Sequence, residues 1–162
     1  MLRECTSLIS VTVREGYDNT IGNLIFFKCP SLEYCKLPEG ATLIGIQVFY
    51  DCTSLKTVYL PSSLTRSVNN SLLSRQGNSA NSYYIFRGCT ALEDVQLGSD
   101  WNMDLDISIS DNITVNSMIA MFNSLKDLTD TTAKTLTLGS TNLAKLTDKQ
   151  KAIATNKNWT LA

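Results

Sequence analysis

Cys-Thr-Ser-Leu stands at 5–8 and again at 52–55, with Cys-Pro-Ser-Leu at 29–32 and Cys-Thr-Ala-Leu at 89–92. Set in register on the cysteine, the flanking residues recur as well. Phe26, Phe49 and Phe86 each stand three residues before their cysteine, and Leu2 holds that place in the first copy. Apolar residues follow at plus three (Leu8, Leu32, Leu55, Leu92), plus six (Val11, Cys35, Val58, Val95) and plus eight (Val13, Leu37, Leu60, Leu97). Pro38, Pro61 and Gly98 close three of the copies, and Ile21-Gly22 and Ile44-Gly45 precede the next Phe by five residues. The cysteine spacing is 24, 23 and then 37, the last being one 23-residue period with a 14-residue insertion. A unit that short cannot enclose its own core. It must bury its apolar face against its neighbours, so the chain reads as an α/β repeat solenoid. The plus-six and plus-eight residues alternate with polar ones, which places a short strand with one buried face in every copy.

The pattern F-x-x-C-x-x-L-x-x-V-x-L-P followed by I-G resembles the BspA-like leucine-rich repeat, over residues 2–98. Cys35 in place of an aliphatic residue, the insertion, and the missing Ile-Gly of the third copy depart from that pattern. The resemblance implies a right-handed leucine-rich-repeat solenoid. It also implies a non-enzymatic binding or adhesion module outside the cell, on a bacterial surface or a virion, that grips a protein or glycan partner. A structural or assembly role in a phage particle or other large surface assembly is the alternative. The stretch from Lys134 to the end also resembles C-terminal segments of leucine-rich proteins encoded by gut bacteria and their phages.

In such a solenoid Cys5, Cys29, Cys52 and Cys89 form one ladder, and a small soft side chain packs well there as a buried free thiol. The competing reading is disulfides or a metal cluster. Structural zinc favours closely spaced cysteine pairs, and this chain has none. Its five cysteines are an odd number, so at least one stays free.

The 162 residues contain no histidine, which removes Ser-His-Asp, Cys-His and His-based metal chemistry. The net charge is −1 and the arginines are scattered, which speaks against nucleic acid held by a basic field. No phosphate loop, calcium loop or nucleophile beside a base is legible, so no cofactor and no metal are expected. Asp100, Asp104, Asp106 and Asp111 read as solvated turn residues. No apolar stretch is long enough for membrane insertion, and Met1–Leu8 has no leader pattern.

The expected organisation is residues 1–98 as repeats, with an inserted loop at 66–83, and residues 99–162 as strand-helix-strand-helix-strand continuing and capping the same solenoid. Strands are expected at 105–110, 135–139 and the C-terminus, with Ile109, Leu138 and Leu161 in matching positions. One helix is expected over 114–126. A capping box at Thr147 and Gln150 opens another, running to about Asn156. Helices are expected to replace the extended convex segments. Whether the strand near 105–109 lies on the concave or the convex side is left open.

Between the inward residues of each strand lie outward ones. Thr12, Lys36, Tyr59 and Gln96 form one row, and Ser10, Tyr34, Thr57 and Asp94 form the next. These rows are expected to line the concave sheet. Tyr34, Lys36, Tyr59, Asp94 and Gln96 are the candidate binding residues, with the tyrosines as anchors. The ordinary alternative is a solvated sheet face. Leu72 and Leu73 in the polar insertion are further candidates for a loop that packs or binds. The first copy has no capping segment before Leu2, so a preceding segment or another subunit is expected to pack on that apolar edge.

Overall fold

The computed structural model of the chain describes residues 2–14, 19–67 and 85–162. In chain order it contains β1 (Ser10–Thr12), β2 (Thr20–Ile21), β3 (Tyr34–Lys36), β4 (Leu43–Ile44), β5 (Thr57–Leu60), β6 (Arg66–Ser67), β7 (Asp94–Leu97) and β8 (Leu105–Asp106). There follow α1 (Val115–Ser124), β9 (Lys134–Thr137), α2 (Ser140–Ala144), α3 (Asp148–Thr155) and β10 (Trp159–Leu161). All named strand pairs are parallel, in three sheets ordered β1-β3-β5-β7, β2-β4-β6 and β10-β9-β8.

The first sheet has the register of the cysteine phrases. Val11, Cys35, Val58 and Val95 pair across its four strands. Leu32, Leu55 and Leu92 stack at full burial beneath it. Phe26, Phe49 and Phe86 form a second ladder, with ring centroids 5.4 Å apart at both steps and nearly parallel planes. The second sheet starts from the recurring Ile-Gly phrase, for Ile21 pairs with Ile44.

The cysteines are free, and those at 29, 35, 52 and 89 are buried, while Cys5 is half-buried. Their position has a specific chemistry. The thiol of Cys29 donates to the Leu2 carbonyl, that of Cys52 to Phe26 and that of Cys89 to Phe49, each at 3.0 Å. Each thiol thus reaches the residue three before the preceding cysteine and ties one copy to the last. The residue just before each cysteine is left-handed in all four copies: Glu4, Lys28, Asp51 and Gly88, with φ from 54° to 84°. From these turns the N–H groups of Glu4, Lys28 and Asp51 donate to the carbonyls of Phe27, Tyr50 and Arg87 in the next copy. Glycine takes the position at 88, where a Cβ would come within 2.3 Å of Asp51 Oδ1 and 3.0 Å of its Cα.

The first sheet ends at β7, and α1 covers its edge. Thr114 N–H donates to the Glu93 carbonyl, and Ser117 Oγ accepts from Val95 N–H at 2.9 Å, where a further strand would have supplied a carbonyl. Helix α1 packs on β7 and α3 packs on α1. The helices therefore follow the first sheet and not the second. This corrects the expectation that they replace the opposite, extended segments. A helix with side chains is about 10–12 Å across and a strand takes about 4.8 Å, so this is the wider side of the second half.

Helix α1 starts at Thr114, whose side chain accepts from Ser117 N–H. Both halves of the capping box at Thr147 and Gln150 are formed at the start of α3. The strand expected over 105–110 is only Leu105–Asp106, because Asp106 Oδ1 accepts from both the N–H and the hydroxyl of Ser108 and turns the chain. Ile107 is buried and Ile109 is exposed. The matching positions are accordingly Leu105, Leu136 and Leu161, not Ile109, Leu138 and Leu161. That strand belongs to the sheet of β9, separate from the first sheet. Helix α2 adds an element between β9 and α3. The fully buried Asn142 of α2 donates to the carbonyls of Ser110 and Leu138.

Candidate functional site

Parallel pairing without offset turns single residues into rows. On the outward face of the first sheet, Ser10, Tyr34, Thr57 and Asp94 are paired neighbours, and so are Thr12, Lys36, Tyr59 and Gln96. Five residues singled out from the sequence, Tyr34, Lys36, Tyr59, Asp94 and Gln96, therefore share one face. The other two, Leu72 and Leu73, lie outside the described residues. The rows, expected to line a concave sheet, stand on the side of the coils that α1 continues.

The second row is tied together electrostatically. The Lys36 ammonium lies 5.1 Å from the Tyr59 ring centroid, and the Tyr59 hydroxyl donates to Glu39. Burial, followed by the hydrogen bond to Glu39 and its charge, pushes the Tyr59 phenol up to about 12. Tyr59 is thus a neutral hydrogen-bond donor at physiological pH, with its proton already committed to Glu39. Gln96 donates to Asp94 at 2.7 Å, and Lys56 pairs with Glu33 at 3.1 Å, each standing just before its strand, β5 and β3. The first row is different. Tyr34 is half-buried between the short hydroxyl residues Ser10 and Thr57, and among the described residues no ring or cation stacks on it. The face offers aromatic area, paired charges and hydroxyls. None of these is a nucleophile next to a base.

The sequence reading missed a second array. Two residues before each cysteine stand Arg3, Phe27, Tyr50 and Arg87. Phe27 and Tyr50 stack at 5.0 Å, the Arg3 guanidinium lies 4.8 Å from the Phe27 centroid, and that of Arg87 lies 5.4 Å from Tyr50. The register on the cysteines already contained this row. It went unread because only apolar recurrences were aligned.

The first copy is the open end of the stack. Leu2 is 39% exposed, where its counterparts Phe26, Phe49 and Phe86 are at most 4% exposed. Ile9 is 63% exposed at a position that holds the exposed Glu33, Lys56 and Glu93 in later copies, and Leu8 and Val11 are half-buried, although the later counterparts of these two are fully buried. Among the described residues no group of three or more His, Cys, Asp or Glu side chains could hold a metal ion, and no helix is long and apolar enough to cross a membrane.

Residues 1–81 match a family model described as a BspA type leucine-rich repeat region, in 6 copies. No curated protein and no solved structure matches the chain.

Proposed function

The chain belongs to the BspA-type leucine-rich repeat family, and from that premise we propose that it is a non-enzymatic binding module, built as a right-handed solenoid. Its outward first-sheet face engages a protein or glycan partner outside the cell, on a bacterial surface or a particle. Repeats of this kind commonly serve interaction, and the described residues hold no cluster of catalytic character. The observation that carries the reading is the clustering of Tyr34, Lys36, Tyr59, Asp94 and Gln96 on one open, rigid sheet face. Aromatic anchors surrounded by adaptable polar groups are the usual composition of a recognition surface. Leu72 and Leu73 are proposed to add contacts from the insertion.

The test is a screen of immobilised glycans and surface proteins with the wild type and a Tyr34→Ser/Tyr59→Ser variant. A ligand retained by the wild type and weakened by about tenfold or more in the folded variant supports the face, since anchor residues contribute on this scale. A ligand bound equally by both places the site elsewhere. Turnover of a glycan or peptide would overturn the non-enzymatic reading.

One observation favours a second reading, an assembly role. The first copy presents exposed Leu2 and Ile9 beside an edge of β1 that pairs with no strand among the described residues, and such an edge is a template for docking. A partner with a leucine-rich coil of its own, or a preceding segment of the same kind, fits there. Light scattering on the purified 162-residue chain separates the cases. A mass near 17.9 kDa favours the free module, and a larger defined assembly favours docking.

A further inference from the structure

We propose that the turn row Arg3, Phe27, Lys28, Tyr50 and Arg87 is a second binding surface, separate from the sheet face, for a linear acidic polysaccharide carrying carboxylate or sulfate groups. The row lies in the turns that lead into the cysteines, with Arg3, Phe27, Tyr50 and Arg87 at one position per copy and Lys28 next to Phe27. Each copy presents a donor: the Arg3 guanidinium, the Lys28 ammonium (5.5 Å from the Phe27 centroid), the Tyr50 hydroxyl and the Arg87 guanidinium. Arg3, Lys28 and Arg87 are exposed, and Phe27 and Tyr50 are half-buried.

The stacking determines which atoms are left for a ligand. Phe27 lies between Arg3 and Tyr50, and Tyr50 lies between Phe27 and Arg87. The ring faces are filled, so a nucleobase has nothing to stack on, and base stacking is the usual anchor of single-stranded nucleic acid. A guanidinium that rests its face on a ring keeps its N–H fork in plane, where it can hold a carboxylate or sulfate bidentately. Among the described residues no hydrogen bond or ion pair occupies the Arg87 guanidinium or the Lys28 ammonium, whose residues hydrogen-bond to their neighbours through the backbone alone. Arg3 shares its Nε with Glu4 at 3.1 Å, an exposed pair that a ligand anion can displace. Asp51, the other nearby carboxylate, sits against Gly88 in the adjoining row.

The spacing selects the polymer. Successive rungs are about 5 Å apart, as the ring stack shows. One pyranose unit of an extended chain advances by nearly the same step, so the sugars stay in step with the rungs, and where alternate sugars turn over their charged groups return to one face at every second rung. An extended peptide repeats on one face only every ~6.8 Å, two residues of about 3.4 Å each, and falls out of step with the rungs. Arg3, Lys28 and Arg87 outnumber the carboxylates Glu4 and Asp51 beside them, so the strip is locally cationic in a chain whose overall charge is −1.

The experiment is affinity electrophoresis of the whole chain in gels containing polygalacturonate, dextran sulfate, neutral dextran or poly-glutamate. The expected result is retardation by one or both acidic polysaccharides and not by neutral dextran. Retention should weaken with salt and fall by about tenfold in Arg3→Gln/Arg87→Gln, as loss of two charge-assisted forks requires. Lys149→Gln/Lys151→Gln on α3 should leave it unchanged. Circular dichroism confirms that each variant is folded. No retardation by either acidic polysaccharide overturns the proposal, as does retardation that survives the arginine substitutions. Equal retardation by poly-glutamate overturns the choice of polysaccharide over acidic peptide. None of these outcomes depends on the sheet face, whose tyrosines are intact in every variant.

Discussion

At the scale of single residues, the apolar ladder positions were legible because each recurs in register. Leu55 is fully buried between its counterparts, and Leu55→Ala is expected to lower stability by about 2–5 kcal/mol through the cavity it leaves. Denaturant unfolding checks this. A loss of a few tenths would show that the ladder is loose. Tyr59→Ala is expected to lose no more than about 1 kcal/mol, the scale of one exposed hydrogen bond and cation–π contact. The preference for cysteine was only half legible. Its burial follows from the repeat, but the carbonyl that each thiol meets is brought there by the neighbouring copy, and no sequence shows it. Burial pushes the Cys52 thiol up from 9.0 to about 12 and raises those of Cys35 and Cys89. Below the unfolded value these thiols are protonated in both states and do not affect the balance. Above it the unfolded chain sheds protons that the folded chain keeps, so stability falls as pH rises from about 9 towards 12. Urea midpoints should drop over that window. They should drop less in Cys35→Val, which places in the row the residue its neighbours Val11, Val58 and Val95 already have. An equal drop in the variant would assign the alkaline loss to other groups.

At the scale of elements, what could be read was what side chains signal locally. The caps at Thr114 and Thr147 formed as their sequences indicate, and Thr147→Ala is expected to lose about 0.5–2 kcal/mol with its capping box. Alternation misled at 105–110, because the side chain of Asp106 competes for the backbone and stops the strand after two residues. Helix α2 left no periodic trace, being five residues long and positioned by the buried Asn142. The placement of α1 beside β7 is a tertiary choice with one polar signature, Ser117. Ser117→Ala removes the acceptor of the buried Val95 N–H and is expected to lower the stability of the β7–α1 junction by about 1–3 kcal/mol. Hydrogen exchange at Val95 reads it directly. Unchanged protection there would mean that another group takes over.

At the scale of the whole molecule, the first sheet has one edge closed by a helix and, among the described residues, one edge open. The same rung is fully buried at Cys29, Cys52 and Cys89 and half-buried at Cys5. Rows of outward residues come with this stacking at no separate structural requirement, which is why the sheet face and the turn row can both be built from one 23-residue phrase. Their ligands were not legible, because a row of side chains specifies a chemistry and a spacing but not a partner. The central claim is that the four cysteine phrases stack as one ladder with the first at its open end. Counting thiols alkylated by iodoacetamide in the native protein, by intact mass, tests it most directly. The account expects one adduct, at Cys5, and four more only on unfolding. Interior cysteines that react as fast as Cys5 in the folded state would contradict it.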